Sequence, residues 1–134
     1  MKVLLVDDQA PFLRAMGAVV EETAGFEVVG EASTGEEAIA TAGELFPDYV
    51  LMDVNLPGID GVEATKRLRE RPSPPVVLLL STYDEDAGAH FVAECGAAAY
   101  VTKSAFGPEQ LRQVWTTASE SRARRAELRS GPDE

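Results

Sequence analysis

Residues 48–61 read Asp48-Tyr49-Val50-Leu51-Met52-Asp53-Val54-Asn55-Leu56-Pro57-Gly58-Ile59-Asp60-Gly61. The run Tyr49-Val50-Leu51-Met52 is apolar at every position. A strand with one solvated face alternates apolar and polar residues; a strand covered on both faces does not. This stretch therefore reads as a central strand of a parallel sheet that ends on a carboxylate, Asp53. Pro57-Gly58 and Asp60-Gly61 supply turns. Beyond them Val62, Thr65 and Leu68 recur at helical spacing.

Outward from this segment the same unit repeats. Other short apolar runs are Val3-Leu4-Leu5-Val6, Glu27-Val28-Val29-Gly30, Val76-Val77-Leu78-Leu79-Leu80 and Ala99-Tyr100-Val101. Between them lie helical faces: Phe12, Leu13, Met16, Val19 and Val20; Ala38, Ile39, Ala42 and Leu45; Ala87, Phe91 and Cys95; Leu111, Val114, Trp115 and Ala118. Ser33-Thr34-Gly35-Glu36-Glu37 carries a capping-box pattern, and Pro108 suits the first turn of the last helix. The expected architecture is α/β, (βα)5, a doubly wound parallel five-stranded sheet with right-handed crossovers.

Length and composition agree. The chain has 134 residues, 45% hydrophobic and 26% charged, enough to bury roughly two-thirds of its unfolded surface without a disulfide or structural metal. Cys95 and His90 are single residues of their types, which excludes an internal disulfide and a multi-histidine or multi-cysteine zinc site. The net charge of −11 repels nucleic acid and anionic lipid at long range, so no direct nucleic-acid binding by this chain is expected. No apolar run is long enough to span a membrane, and Met1-Lys2-Val3-Leu4-Leu5-Val6-Asp7-Asp8 lacks the features of a signal peptide. No membrane association and a cytoplasmic location are expected.

In a doubly wound sheet, ligands sit beyond the carboxyl ends of the strands. Asp7 and Asp8 follow the first run, Asp53 ends the third, Ser81 and Thr82 follow the fourth, and Lys103 follows the fifth. In strand order 2-1-3-4-5 the first and third strands are neighbours, which brings three carboxylates together. Crowded carboxylates repel one another and raise their own pKa values. A divalent cation removes the conflict, and an all-oxygen donor set favours Mg2+ or Mn2+. With Lys103 the formal charges balance. The chemistry this suggests is attack by Asp53 on phosphorus to give an acyl phosphate, with Ser81 donating a hydrogen bond and Lys103 supplying a fixed cation. Only three lysines occur, Lys2, Lys66 and Lys103, and a compact ammonium suits a point contact on a phosphoryl oxygen.

With Asp7-Asp8, the segment 48–61, Leu80-Ser81-Thr82 and Gly96-Ala97-Ala98-Ala99-Tyr100-Val101-Thr102-Lys103 in this order and spacing, the chain resembles the receiver domain of two-component response regulators over essentially its whole length. Leu79-Leu80-Ser81-Thr82-Tyr83-Asp84 and Tyr100-Val101-Thr102-Lys103-Ser104 look most like the NarL/FixJ-type subgroup. The resemblance implies a flavodoxin-like fold, with Mg2+ held by Asp8, Asp53 and the backbone carbonyl of Asn55, and Asp7 assisting through water. It implies that Asp53 takes a phosphoryl group from a phosphohistidine of a sensor histidine kinase. It further implies a switch in which the Ser81 hydroxyl moves toward the phosphoryl group, Tyr100 turns inward, and the surface of the fourth helix, fifth strand and fifth helix changes shape. A homodimer formed on phosphorylation is an expected partner arrangement.

Two features depart from the family pattern. Ser104 stands where many members have proline after the lysine, which disfavours a cis peptide there by about 3 kcal/mol. Thr82 replaces a smaller residue, and Thr82 with Tyr83 is expected to narrow the route of water to an acyl phosphate. Residues 1–121 are expected to form the receiver. Residues 122–134, with Arg122, Arg124, Arg125 and Arg129, are expected to be a helix extension or tail and a possible linker start. Subgroup members usually carry a C-terminal DNA-binding helix-turn-helix, so the expected role is the regulatory part of a transcriptional regulator. The alternatives are a stand-alone regulator acting through protein contacts, or a phosphorylation-independent binding module. Asn55 stands where a haloacid-dehalogenase-type phosphatase needs a second carboxylate. The acids after the first strand would repel a flavin phosphate, and no Gly-x-x-x-x-Gly-Lys loop supports a nucleotide triphosphatase.

Overall fold

The structure is a computed structural model and describes residues 1–129. In chain order the elements are β1 (Lys2–Val6), α1 (Ala10–Glu21), β2 (Glu27–Ala32), α2 (Gly35–Leu45), β3 (Tyr49–Asp53), α3 (Gly61–Arg69), β4 (Val76–Ser81), α4 (Glu85–Cys95), β5 (Ala99–Thr102) and α5 (Pro108–Arg129), with a 3₁₀ turn at Lys103–Ala105. The five strands are parallel in the order β2-β1-β3-β4-β5. This is the doubly wound arrangement expected, and the expected strand order holds.

The continuous apolar runs are explained by layering. Side chains alternate across a strand. Leu4 and Val6 of β1, Val50 and Met52 of β3, and Val77 and Leu79 of β4 face one core, with Ala38 and Ala42 of α2, Ala64 and Leu68 of α3, and Cys95 of α4. Val3, Leu5, Tyr49, Leu51, Leu78 and Leu80 face the other, against Met16 and Val20 of α1 and Leu111 of α5. All of β3 and all of β4 are buried. Trp115 packs on the second core, 5.4 Å between ring centroids from Tyr49 and edge-on to Phe26. The buried Tyr49 hydroxyl donates to the Leu111 carbonyl at 3.0 Å and so ties β3 to α5. His90 is exposed on α4.

Local signals start the helices where the sequence places them. Thr34 caps α2 by accepting from the Glu37 amide at 2.9 Å. Glu37 returns to the Ser33 amide at 2.6 Å, one residue earlier than in a regular capping box. Asp60 caps α3 and Asp84 caps α4. With Asp84 capping α4, Ser81 stays with the strand as the last residue of β4. β2 runs two residues past the apolar stretch, through Glu31 and Ala32, because β1 continues to offer partners at Leu5 and Val6. α5 is unbroken through Arg129, so the helical part of the Arg-rich extension lies within the described residues, and residues 130–134 lie outside them. None of the described helices is long and apolar enough to cross a membrane.

Candidate functional site

Strand geometry assembles the site. β1 and β3 pair in register with Val6 opposite Met52, so the residues that follow, Asp7 and Asp53, emerge side by side at the carboxyl edge. On the other flank Asp53 pairs with Leu80, which places Ser81 next to it. β5 pairs Thr102 with Ser81 and delivers Lys103 to the same rim. Gly61 is required here by close approach: a Cβ at Gly61 would run into the backbone of Asp53 and Val54, because α3 begins directly against the end of β3.

Each of Asp7, Asp8 and Asp53 offers a carboxylate oxygen, and these atoms all lie within 4.8 Å of one another. Asp7 is fully buried, Asp53 is 3% exposed, and Asp8 is exposed. The Lys103 ammonium stands 2.8 Å from Asp7 Oδ2 and 3.4 Å from Asp53 Oδ2. It also lies 4.5 Å from the centroid of the Phe12 ring, a cation–π contact that steadies the charge at the mouth of the site. Asp7 Oδ1 accepts from the Gln9 amide at 2.8 Å. Asp7 Oδ2 receives no directed hydrogen bond, only the charge contact from Lys103, so it keeps an open lone pair in a buried position.

The electrostatics follow. Burial and the neighbouring Asp7 push the Asp53 carboxyl up to about 6; Lys103 and the Asn55 amide act in the opposite direction without cancelling them. For Lys103, burial lowers the pKa, but the contacts with Asp7 and Asp53 outweigh it and the net shift is upward. One ammonium therefore does not neutralise three acids. The donor set is all oxygen and compact, and the buried Asp7 Oδ2, with Lys103 on one side, keeps a second lone pair open. It fits a hard divalent cation such as Mg2+. Asp7, Asp8 and Asp53 are the side chains that would hold it.

Around Asp53 runs a hydrogen-bonded relay only partly visible in the sequence. The Asn55 amide donates to Asp53 Oδ1 at 3.2 Å. Asn55 Nδ2 donates to Ser81 Oγ at 3.4 Å, and Tyr83 donates its hydroxyl to Asn55 Oδ1 at 3.2 Å. Tyr100 then donates to the Tyr83 carbonyl at 2.6 Å. Sequence reading assigned Asn55 a backbone role, and its side chain turns out to link Ser81 to Tyr83. It also missed Gly88, buried on α4, where the Tyr100 ring occupies the space a Cβ would need. Phe91 stacks edge-on against both Tyr83 and Tyr100. Thr82 is exposed beside this relay. All peptide bonds among the described residues are trans, including Lys103–Ser104.

Comparison with known proteins bears on this geometry. A family model described as the response regulator receiver domain matches residues 3–116. The transcriptional regulatory protein LiaR of Bacillus subtilis (strain 168) is 38% identical over 109 residues, covering 81% of this chain and 52% of LiaR. The response regulator GacA of Pseudomonas aeruginosa is 39% identical over 114 residues, covering 85% of this chain and 53% of GacA. The chain thus spans about half the length of the curated relatives it matches. A crystal structure of a LuxR-family two-component response regulator from Aurantimonas sp. SI85-9A1 superposes with a TM-score of 0.75 at 35% identity, covering 84% of this chain and 79% of that one.

Proposed function

Because this chain belongs to the response regulator receiver family of two-component systems, we propose that Asp53 is its phosphoacceptor and that a sensor histidine kinase is the donor. The observation that carries this is the clustering of Asp7, Asp8 and Asp53 within 4.8 Å with Lys103 between two of them.

An Asp53 carboxylate oxygen forms a bond to phosphorus as the phosphorus–nitrogen bond of a phosphohistidine breaks. The imidazole nitrogen leaves with the electron pair and takes up a proton. Lys103 is placed to meet charge on the transferring oxygens, and the Ser81 hydroxyl to donate to one of them. With a carboxyl pKa of about 6, Asp53 is mostly ionised at neutral pH, as a nucleophile must be. Mg2+, held by Asp8, Asp53 and the Asn55 carbonyl with Asp7 assisting through water, would supply charge neutralisation for the phosphoryl oxygens.

The output is read through Ser81 and Tyr100. Movement of the Ser81 hydroxyl toward a phosphoryl oxygen, to which it donates, stretches the 3.4 Å bond it accepts from Asn55 Nδ2. That perturbs Asn55, then Tyr83, then the carbonyl that holds Tyr100. Tyr100 is half-buried and rests over Gly88, so inward movement of its ring reshapes the face of α4, β5 and α5. Thr82 and Tyr83 border the access of water to the phosphoryl group. Residues 1–121 form the regulatory unit and residues 122–134 start the connection to an effector. The whole protein acts in the cytoplasm as a transcriptional regulator, with dimerisation on phosphorylation and no direct nucleic-acid contact from this part.

The test is mass spectrometry after incubation with a small phosphodonor and Mg2+, paired with Asp53→Asn. Uptake of one phosphoryl group by the wild type and none by the variant is expected. An unmodified wild type, or equal uptake by the variant, overturns the assignment.

A further inference from the structure

At the opposite end of the sheet from Asp53, the structure gathers arginines. Two adjoining clefts of about 370 Å³ and about 990 Å³ share Arg69, Arg122 and Arg125, and the larger also has Arg71 on its wall. In a chain of net charge −11, this concentration of cations is out of proportion. Among the described residues no carboxylate lies within ion-pair distance of any of these four guanidiniums. Two of them are held instead by neutral backbone: Arg71 donates to the Ile39 carbonyl at 2.8 Å, and Arg122 donates to the Pro74 carbonyl. Such contacts aim the heads without neutralising them. Among the described residues Asp48 is the one acid on the wall, and its carboxylate already accepts from the Lys2 amide.

A separate feature borders the same place. Phe46 closes α2 with a left-handed backbone, φ 48°, and its ring is 73% exposed. A left-handed phenylalanine is strained; its amide closes α2 on the Ala42 carbonyl, but that bond needs no aromatic ring, and the exposed ring gains little from burial. It lines the larger cleft beside Pro47 and Arg71. Along the smaller cleft Gln113, Thr117 and Ser121 follow one ridge of α5 and offer amide and hydroxyl groups.

From these features we propose that the clefts bind a nucleoside di- or triphosphate, with the phosphates among Arg69, Arg71, Arg122 and Arg125 and the base stacked on Phe46. Guanidinium forks match phosphate oxygens bidentately, and an aromatic face accepts any base. Four guanidiniums against one carboxylate match the charge of a polyphosphate. The cleft volumes fall in the range of small-molecule sites. This site is independent of the phosphoacceptor assignment.

The experiment is an amide-resolved NMR titration of the whole chain, without Mg2+ and at constant physiological ionic strength. The probes are adenosine diphosphate, adenosine triphosphate, pyrophosphate, adenosine and a short single-stranded RNA. Saturable shifts are expected for the two nucleotides at Gly96, Ala98 and Thr117, and none at Asp53. Pyrophosphate should bind more weakly and adenosine not at all. The Arg122→Gln, Arg125→Gln double variant should lose about tenfold in affinity. Phe46→Gly should reduce nucleotide affinity to that of pyrophosphate while leaving pyrophosphate unchanged. These residues are exposed, so the variants keep the fold, as their unshifted core resonances would report. Absence of saturable shifts, shifts centred on Asp53, affinity unchanged in the arginine variant, or binding of RNA without binding of mononucleotides each overturns the proposal.

Discussion

The Tyr83 hydroxyl reaches across 28 residues of chain to donate to Asn55 Oδ1 at 3.2 Å, which ties the loop after β4 to the loop after β3 directly beside Asp53. Tyr83 also carries the carbonyl that accepts from Tyr100. One residue therefore stands, through its side chain, beside the Asp53 loop and, through its backbone carbonyl, on the route to the α4–β5 surface.

Under the proposed function, Thr82 and Tyr83 would border the path of water to the phosphoryl group. In protein phosphorylated on Asp53, Thr82→Ala and Tyr83→Phe are each expected to speed loss of the phosphoryl group by about two- to tenfold, a barrier change on the order of 1 kcal/mol. Phosphate release after rapid removal of the donor reads this directly. An unchanged rate in Thr82→Ala would falsify the gating role.

The raised pKa of Asp53 links stability to pH in the metal-free protein. The free carboxyl titrates near 3.8 and the folded one near 6, so between these values the folded chain binds more protons than the unfolded one. Stability contributed by this group is therefore full below about 3.8 and is lost as pH rises through about 6. Asp53→Asn removes that loss, and well above pH 6 it should make the metal-free protein more stable by about 3 kcal/mol. Millimolar Mg2+ should raise the unfolding midpoint of the wild type and much less that of the variant. Urea titrations across pH, with and without Mg2+, measure both. A variant no more stable than wild type at neutral pH would show that burial and the neighbouring Asp7 do not penalise the Asp53 carboxylate.

Gly88 and Tyr100 should behave as a coupled pair. Gly88→Ala places a methyl group where the Tyr100 ring lies and is expected to destabilise by about 1–3 kcal/mol despite the better helix propensity of alanine. Adding Tyr100→Ala should recover part of that cost. A double-mutant cycle by chemical denaturation gives the coupling, and strict additivity would mean that the ring does not rest on Gly88.

Phe46→Gly should raise stability by about 1 kcal/mol, since glycine suits the left-handed helix end and the 73% exposed ring has little burial to lose. Thermal and urea unfolding against wild type test it. A loss of stability would mean that the ring packs more than its exposure indicates.

The sequence by itself determined the layering. Tyr49-Val50-Leu51-Met52 and Val76-Val77-Leu78-Leu79-Leu80 are apolar at every position and short, as strands of a sheet covered on both faces are. Alternation of short runs with helical faces then left a parallel order, and the residue after each run named Asp7, Asp8, Asp53, Ser81 and Lys103 as neighbours. These are period and composition effects, local in the chain and therefore legible.

Only the tertiary structure decided what depends on contacts between distant segments. The Asn55 side chain, Phe12 beneath Lys103 and Gly88 beneath Tyr100 have no local signature, because each owes its role to a partner at least 12 residues away. The extent of burial that drives the Asp53 pKa to about 6 is likewise set by packing. So is the meeting of Arg69 and Arg71 with Arg122 and Arg125, which lie at opposite ends of a stretch that the sheet folds back on itself. Periodicity in a chain specifies which face a residue shows, whereas the identity of what it meets is fixed only when strands and helices close around one another.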